Sequence, residues 1–313
     1  NISGCKELAY LDCTYNGFAE LDLSEFGKLT HLDCTQSWNL TSLDLTGCKE
    51  LAQVNVSKSP ELNSLNVSEC GKLTYLNTNN TPIKILDITH CTELEKLECQ
   101  ENKLNQLDLS GCPKLTELDC SHNLLTALDF SNCEELTSLN ISNNDFRKDG
   151  IDISCCTKLK KLLCRTDRLH ELDVTKSTEL TELDCGGNGG LATLDLSNCK
   201  ELTTLVCSSC DGMTYLDVSK CTKLKKIDCC MGYYLTEINL KNCTELTELY
   251  CSENELAELD ISACTNLEYF DCSNNPLNTL TLDNCTKLKE LYCSSCQLST
   301  LDVSKCPELT KII

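Results

Sequence analysis

The stretch "LTELDCSHNLLTALDFSNCEE", residues 115–135, decides the fold. It holds two similar halves, and a unit of the same kind recurs every 21 to 23 residues along the 313-residue chain. Half A reads L-x-x-L-x-C-x-x-N-x-L, here Leu115 to Leu125, and places in a coil are counted from its first leucine. Half B reads L-x-x-L-D-L-S-x-C-x-x-L, as in "LNQLDLSGCPKL" from Leu104 to Leu115. The sixth place of half A falls at Cys13, Cys34, Val56, Thr78, Cys99, Cys120, Ile141, Cys164, Cys185, Cys207, Cys229, Cys251, Cys272 and Cys293, which makes 14 copies.

Each half sets apolar residues at alternate positions of a short extended segment and then turns, so neither buries its inner face alone. Stacking the coils supplies the missing cover. The expected fold is therefore a mainly β solenoid of about 14 coils of 21–23 residues. Half A forms a concave parallel sheet, half B a second, convex face of short strands, and no α-helix is expected. The pattern runs through residues 1–313 as one repeat domain and begins and stops in mid-unit, at "NISGC" and "LTKII". That reads as a segment cut from a longer protein.

The spacing from B to the next A is always 11 residues, as from Leu109 to Cys120. From A to B it varies: 10 between Cys99 and Leu109, 11 between Cys34 and Leu45, 12 between Ile141 and Ile153. Insertions thus gather after the A strand, at "SWN" (37–39), "NDFRKDG" (144–150) and "MGYY" (231–234). Loops of this kind border the binding face in stacked repeats.

Of 28 cysteines, 11 occupy the sixth place of half A and 13 the matching inward place of half B. Rungs stacked in register lie ~4.8 Å apart, and their side chains point the same way rather than at one another. Free, buried thiols acting as small apolar residues are expected. The two C-x-x-C pairs, Cys207 with Cys210 and Cys293 with Cys296, join the sixth place to the ninth, where Asn102, Asn123 and Asn254 stand in other coils. A redox dithiol needs an exposed, acidified thiol and a zinc site needs four converging ligands, so both pairs read as structural rungs. Cys155 and Cys230 fall outside these places and are expected to point outward.

Half B carries aspartate at one outward place: Asp22, Asp44, Asp87, Asp108, Asp129, Asp152, Asp173, Asp195, Asp217, Asp260 and Asp302. Neighbours ~4.8 Å apart repel by roughly 0.9 kcal/mol per pair in water, so something must offset the column. Hydrogen bonds from the turn that follows, usually D-x-S or D-x-T, are the expected offset. A calcium ladder is the alternative, disfavoured because calcium repeats combine Gly-rich turns with several converging oxygens.

The net charge of −21 argues against nucleic-acid and anionic-membrane partners, which reward clustered Lys and Arg. No run of about 18 apolar residues offers a membrane span. The four histidines, His31, His90, His122 and His170, sit on separate coils, and "GGNGG" at 186–190 lies in a turn with no helix after it. Neither a nucleophile–His pair nor a phosphate loop is available, so the chain is read as non-catalytic.

Outward residues of half A vary from coil to coil. Tyr250, Tyr269 and Tyr292 fall on three consecutive coils, with Asp228 and Asp271 among them and Met231, Tyr233 and Tyr234 one coil earlier. Aromatic clusters of this kind mark protein interfaces, and Tyr250, Tyr269, Tyr292, Asp271, Asp228, Met231 and Tyr233 are the candidate binding residues. Lys160, Lys161, Arg165 and Arg168 form a smaller basic spot, read as solvated surface.

Half A matches the leucine-rich-repeat signature, with cysteine in place of the sixth-place leucine. Over essentially the whole chain the sequence resembles bacterial leucine-rich-repeat surface proteins of the internalin type, those with a cysteine ladder above all. It differs in its second cysteine column. The resemblance implies an extracellular or cell-surface protein that binds an unknown protein of a host or neighbouring cell through the concave face; a monomer that needs no cofactor is expected beside it. The competing expectations are a passive spacer presenting another domain and an intracellular repeat scaffold.

Overall fold

The structure is a computed structural model and describes residues 4–148 and 150–313. The opening "NIS" and Asp149 of the 144–150 insertion lie outside the described residues. The chain forms two compact units, 1–156 and 157–313.

In the first unit, three-residue strands form at β1 (Tyr10–Asp12), β2 (His31–Asp33), β3 (Ser42–Asp44), β4 (Gln53–Asn55), β5 (Ser64–Asn66), β6 (Tyr75–Asn77), β7 (Lys96–Glu98), β8 (Glu117–Asp119) and β9 (Ser138–Asn140). All but β3 and β5 are A strands and make one parallel sheet in the order β1-β2-β4-β6-β7-β8-β9. The second unit holds β10 (Lys161–Leu163), β11 (Glu182–Asp184), β12 (Thr204–Val206), β13 (Tyr215–Asp217), β14 (Lys226–Asp228), β15 (Glu237–Asn239), β16 (Glu248–Tyr250), β17 (Tyr269–Asp271), β18 (Glu290–Tyr292) and β19 (Lys311–Ile312). Its sheet runs β10-β11-β12-β14-β16-β17-β18-β19. Among the described residues there is no helix.

Coil 115–135 shows how the sequence closes the core. Leu115, Leu118, Cys120, Leu125, Phe130 and Cys133 are all at most 2% exposed. Each such aliphatic or aromatic side chain contributes about 1.5–3 kcal/mol on burial, but only because the next coil covers it. The ninth-place amide then ties the coils together. Asn123 Nδ2 donates to Cys120 O (3.0 Å) in its own coil and to Cys99 O (2.9 Å) in the preceding one, while its Oδ1 accepts Leu104 N (3.0 Å). Asn144, Asn188 and Asn275 repeat the pattern, so "GGNGG" is one more such turn.

The eighth place is left-handed in every coil. Tyr15, Gln36, Lys58, Asn80, Glu101, His122, Asn143, Thr166, Ser209, Met231, Glu253, Asn274 and Ser295 have φ between 54° and 61°, and Gly187 has 73°. The conformation turns the chain so that the ninth-place side chain points inward and the eighth-place N–H reaches the next coil, as Gln36 N does to Ser57 O at 2.9 Å. It costs roughly 1–2 kcal/mol for a residue with a Cβ, which the stacked hydrogen bonds offset.

The second face is strand-like only in places. β3 pairs with β5 and β13 with β15, and Asp129 bridges Asp152. Both strand pairs join consecutive coils whose A-to-B spacing is 11, as from Cys34 to Leu45 and from Val56 to Val67. Where the spacing is 10, the B segment forms no paired strand beyond the single bridge at Asp129. Equal and slightly longer links give both segments the slack to lie extended in register.

Candidate binding surface

The parallel register fixes which outward side chains share a column. Across β14, β16, β17, β18 and β19 the third-place column is Lys226, Glu248, Tyr269, Glu290 and Lys311. The fifth-place column is Asp228, Tyr250, Asp271 and Tyr292. Tyr250 and Tyr292 thus share one column and Tyr269 stands in the other on the strand between them, giving a triangle rather than a line.

All three tyrosines are half-buried, and charged neighbours hold Tyr250 and Tyr292. Lys226 Nζ sits 5.2 Å from the centre of the Tyr250 ring and 3.1 Å from Glu248. Lys311 Nζ lies 4.7 Å from the Tyr292 ring centre and donates to the Tyr292 hydroxyl at 2.7 Å. That hydroxyl in turn donates to Glu290 at 2.6 Å. Burial, with Glu248 alongside, pushes the Tyr250 phenol up to about 12. The Tyr250 and Tyr292 rings are therefore held in place before any partner arrives, which lowers the entropic cost of contact.

Aspartates Asp228 and Asp271 do a different job. Asp228 Oδ1 accepts the N–H of Cys230 (3.2 Å) and Asp271 Oδ1 that of Ser273 (2.9 Å). The same bond recurs at Asp12, Asp33, Asn55, Asn77, Asp119, Asn140 and Asp184. The fifth place is therefore a turn cap by default, and its departures in the second unit stand out. There it runs Leu163, Asp184, Val206, Asp228, Tyr250, Asp271, Tyr292, apolar and acidic by turns, on neighbouring strands.

Met231, Tyr233 and Tyr234 are exposed on the loop after β14, with Met231 and Tyr233 left-handed. A shallow cavity of 440 Å³ beside them is lined by Tyr233, Glu253, Asn254, Glu255 and Asn274. None of Tyr250, Tyr269 and Tyr292 lines it, so the candidate residues divide into a concave group and a loop group. The cations of the basic spot are paired onto the next coil: Lys161 with Glu182 (3.0 Å) and Arg165 with Asp184 (3.5 Å). In the first unit the sequence reading overlooked a further group. Tyr10, Tyr15, Phe18 and Trp38 are exposed, and the Tyr10 ring lies 5.8 Å from His31. Tyr15 is the eighth-place residue of its coil, a place outside the two strand positions that had been compared.

The outward expectation for Cys155 and Cys230 needs correction. Both are half-buried. Cys155 Sγ lies 3.0 Å from Phe130 O, and Cys230 Sγ accepts Ser252 Oγ at 3.2 Å. The neighbouring coil covers them, and burial pushes the Cys230 thiol up to about 11. The half-B thiols donate to backbone carbonyls of the preceding coil, as Cys48 does to Leu23 O (3.3 Å) and Cys243 to Val218 O (3.6 Å). Burial holds Cys70, Cys91 and Cys112 up to about 12, so they are poor nucleophiles.

Along half B each aspartate caps its own turn. Asp22 Oδ1 accepts Ser24 N (3.0 Å) and Ser24 Oγ (2.7 Å), and Asp173 Oδ1 accepts Thr175 N (2.8 Å) and Thr175 Oγ1 (2.6 Å). These bonds hold the Asp22, Asp87, Asp108, Asp129, Asp173, Asp195, Asp260 and Asp302 carboxyls below the usual value. A group with a lowered folded pKa stabilises the fold above its unfolded value of about 3.9, and that contribution is lost as pH falls through the folded value. Thermal melts should therefore give a steady Tm from pH 7 to 5 and a falling one below about pH 4. A Tm that rose on acidification would contradict the capping role.

Comparison with known proteins completes the picture. A leucine-rich-repeat profile (two copies) matches residues 244–284. No curated protein sequence matches the chain. Among solved structures, the functional domain of InlJ from Listeria monocytogenes, described as including a cysteine ladder, is 35% identical with a TM-score of 0.91. The alignment covers 98% of this chain and 67% of that one. A leucine-rich-repeat protein of Leptospira interrogans (19% identity, TM-score 0.68, 99% and 85% covered) shares the fold. So does the internalin InlF from Listeria monocytogenes (17%, 0.68, 99% and 88%). The two-half coil, the inward cysteine columns and the close match to InlJ together place this chain in the internalin family of bacterial leucine-rich-repeat proteins.

Proposed function

We propose that the chain is a non-catalytic recognition module of a surface-attached or secreted bacterial protein, binding another protein through the concave face of residues 157–313. The observation that carries this reading is the triangle Tyr250, Tyr269 and Tyr292, two of whose rings are pinned by lysines and stand in a fifth-place column where apolar residues alternate with Asp184, Asp228 and Asp271. Turn caps explain the aspartates. They do not explain replacing a cap by Leu163, Val206, Tyr250 or Tyr292, which gives up a local hydrogen bond for outward apolar area. A partner surface that combines apolar groups with basic ones fits the column.

The test is adhesion of beads coated with the chain to host epithelial cells and to neighbouring bacteria. The triple variant Tyr250→Ala, Tyr269→Ala, Tyr292→Ala should reduce adhesion at least tenfold, the loss of about 1.4 kcal/mol or more expected when interface aromatics are truncated. Its circular dichroism should match the parent. Equal adhesion of parent and variant would reduce the chain to a spacer, or to a scaffold that works inside the cell. No cofactor takes part in this reading. Millimolar calcium should leave Tm within about 2 °C, whereas a rise of ten degrees or so would give the Asp column to the ion, because a specifically bound ligand stabilises by mass action.

A further inference from the structure

The first two rungs of the half-A column stand in register, because β1 and β2 pair Asp12 with Asp33 and a cysteine follows each. Stacked strands lie ~4.8 Å apart, inside the Cα separation of about 4.4–6.8 Å that a disulfide spans. What ordinarily keeps such rungs from joining is therefore the direction of their side chains. At the first rung the direction is favourable. Cys13 Sγ leans toward the second coil, 3.4 Å from Asp33 O and 3.2 Å from Cys34 Sγ. Cys229 and Cys272 lean the same way and reach Tyr250 O and Tyr292 O, each at 3.5 Å. At Cys13 the lean carries on to the sulfur of the next rung, leaving roughly an ångström to a bond of about 2.05 Å. Access separates the two thiols: Cys13 is 9% exposed and Cys34 0%.

We propose that Cys13 and Cys34 form a redox-sensitive latch between the first two coils, closed by exchange with a low-molecular-weight disulfide. The Cys13 thiolate attacks one sulfur of the reagent, forms a mixed disulfide and releases the other half as a thiolate. Cys34 then gives up its proton to solvent and attacks Cys13 Sγ, expelling the second half. The two protein thiols lose two protons and two electrons, and the reagent leaves as two thiols. The order of attack follows from the contact itself. The hydrogen bond from Cys34 holds the Cys13 thiol below its ordinary value, and the same bond, with burial, holds Cys34 up, so Cys13 attacks and Cys34 resolves. Closure adds a covalent tie to two backbone bonds, Cys13 N to Asp33 O (2.8 Å) and Tyr15 N to Thr35 O (2.9 Å). It thereby fixes the coil that carries the exposed rings of Tyr10 and Tyr15 to the coil that carries Trp38.

The experiment exposes the fully reduced, folded chain to oxidised glutathione without oxygen, then blocks remaining thiols with N-ethylmaleimide in denaturant. Trypsin, which cuts after Lys28, separates the two cysteines, and the peptides are mapped by mass spectrometry without reduction. The expected product joins peptide 7–28 to peptide 29–49 through Cys13 and Cys34, about 2 Da lighter than the two free-thiol peptides combined. Fragmentation distinguishes Cys34 from Cys48 in the second peptide. In the linked chain the Cys13 and Tyr15 amides should exchange at least about tenfold more slowly than in the reduced one. Cys34→Val, a residue the column accepts at Val56, should leave glutathione trapped on Cys13. Alkylation of both Cys13 and Cys34 after prolonged exposure, glutathione held on Cys13 of the parent chain, a link from Cys13 to Cys5 or Cys48, or unchanged exchange in the linked chain would each overturn the proposal.

Discussion

Asn123→Ala is expected to destabilise the chain by about 1–3 kcal/mol, although it removes only a small polar side chain. The amide donates to Cys99 O and Cys120 O and accepts Leu104 N, all inside the stack. Alanine leaves the Leu104 N–H buried without a partner, at about 1–3 kcal/mol, while Cys99 O and Cys120 O keep the amides of Asn102 and Asn144 at 3.0 and 3.1 Å. The loss should be local, because every coil contacts only its neighbours: amide exchange ought to quicken in the coils of Cys99 and Cys120 and little elsewhere. Asn123→Cys is the informative control. Cys210 and Cys296 show that sulfur at this place still donates to the preceding coil's carbonyl, so the loss should be smaller. Urea unfolding that detects less than about 1 kcal/mol for the alanine variant would mean that water replaces the amide.

Phe270→Ala should cost more, about 3–5 kcal/mol, through a cavity rather than a lost hydrogen bond. Phe270 is fully buried in β17, paired in register with Leu249 and Leu291. Those neighbours show that the column takes leucine, so Phe270→Leu should lose only about 1 kcal/mol. The two variants also separate core from surface. Tyr269 and Asp271 flank Phe270 on the same strand, so the alanine variant should weaken adhesion through a loosened strand, whereas the leucine variant should bind like the parent.

Much of this was legible from residues 115–135. Leu115, Leu118 and Cys120 give a two-residue alternation, and Asn123 marks the inward turn, so the sequence alone fixes what faces the core. The D-x-S bonds were legible for a simpler reason: donor and acceptor lie two residues apart. The left-handed eighth place was not. Its usual mark is Gly or Asn, and only Asn80, Asn143, Gly187 and Asn274 carry it, because stacking hydrogen bonds override local preference in the other coils. The group that Cys210 reaches, the Cys185 carbonyl 3.4 Å away, was hidden as well. Its identity depends on the backward reach of the ninth-place side chain, which no single coil reveals. The exposed group at Tyr15 and Trp38 was missed because the left-handed turn and the loop, rather than the strand, present those rings.

The turn caps also change the meaning of the chain's acidity. Eleven half-B aspartates and six in half A each hold a backbone N–H of their own turn. Those seventeen carboxylates account for most of the net charge of −21, and the other ionised groups come close to balance. The negative surface is thus a by-product of making corners, not an advertisement for a cationic ligand. It still has a physical effect, since like-charged chains repel and resist clumping. Acid that protonates the corners should therefore remove colloidal stability along with folding stability, and the chains should precipitate as they loosen.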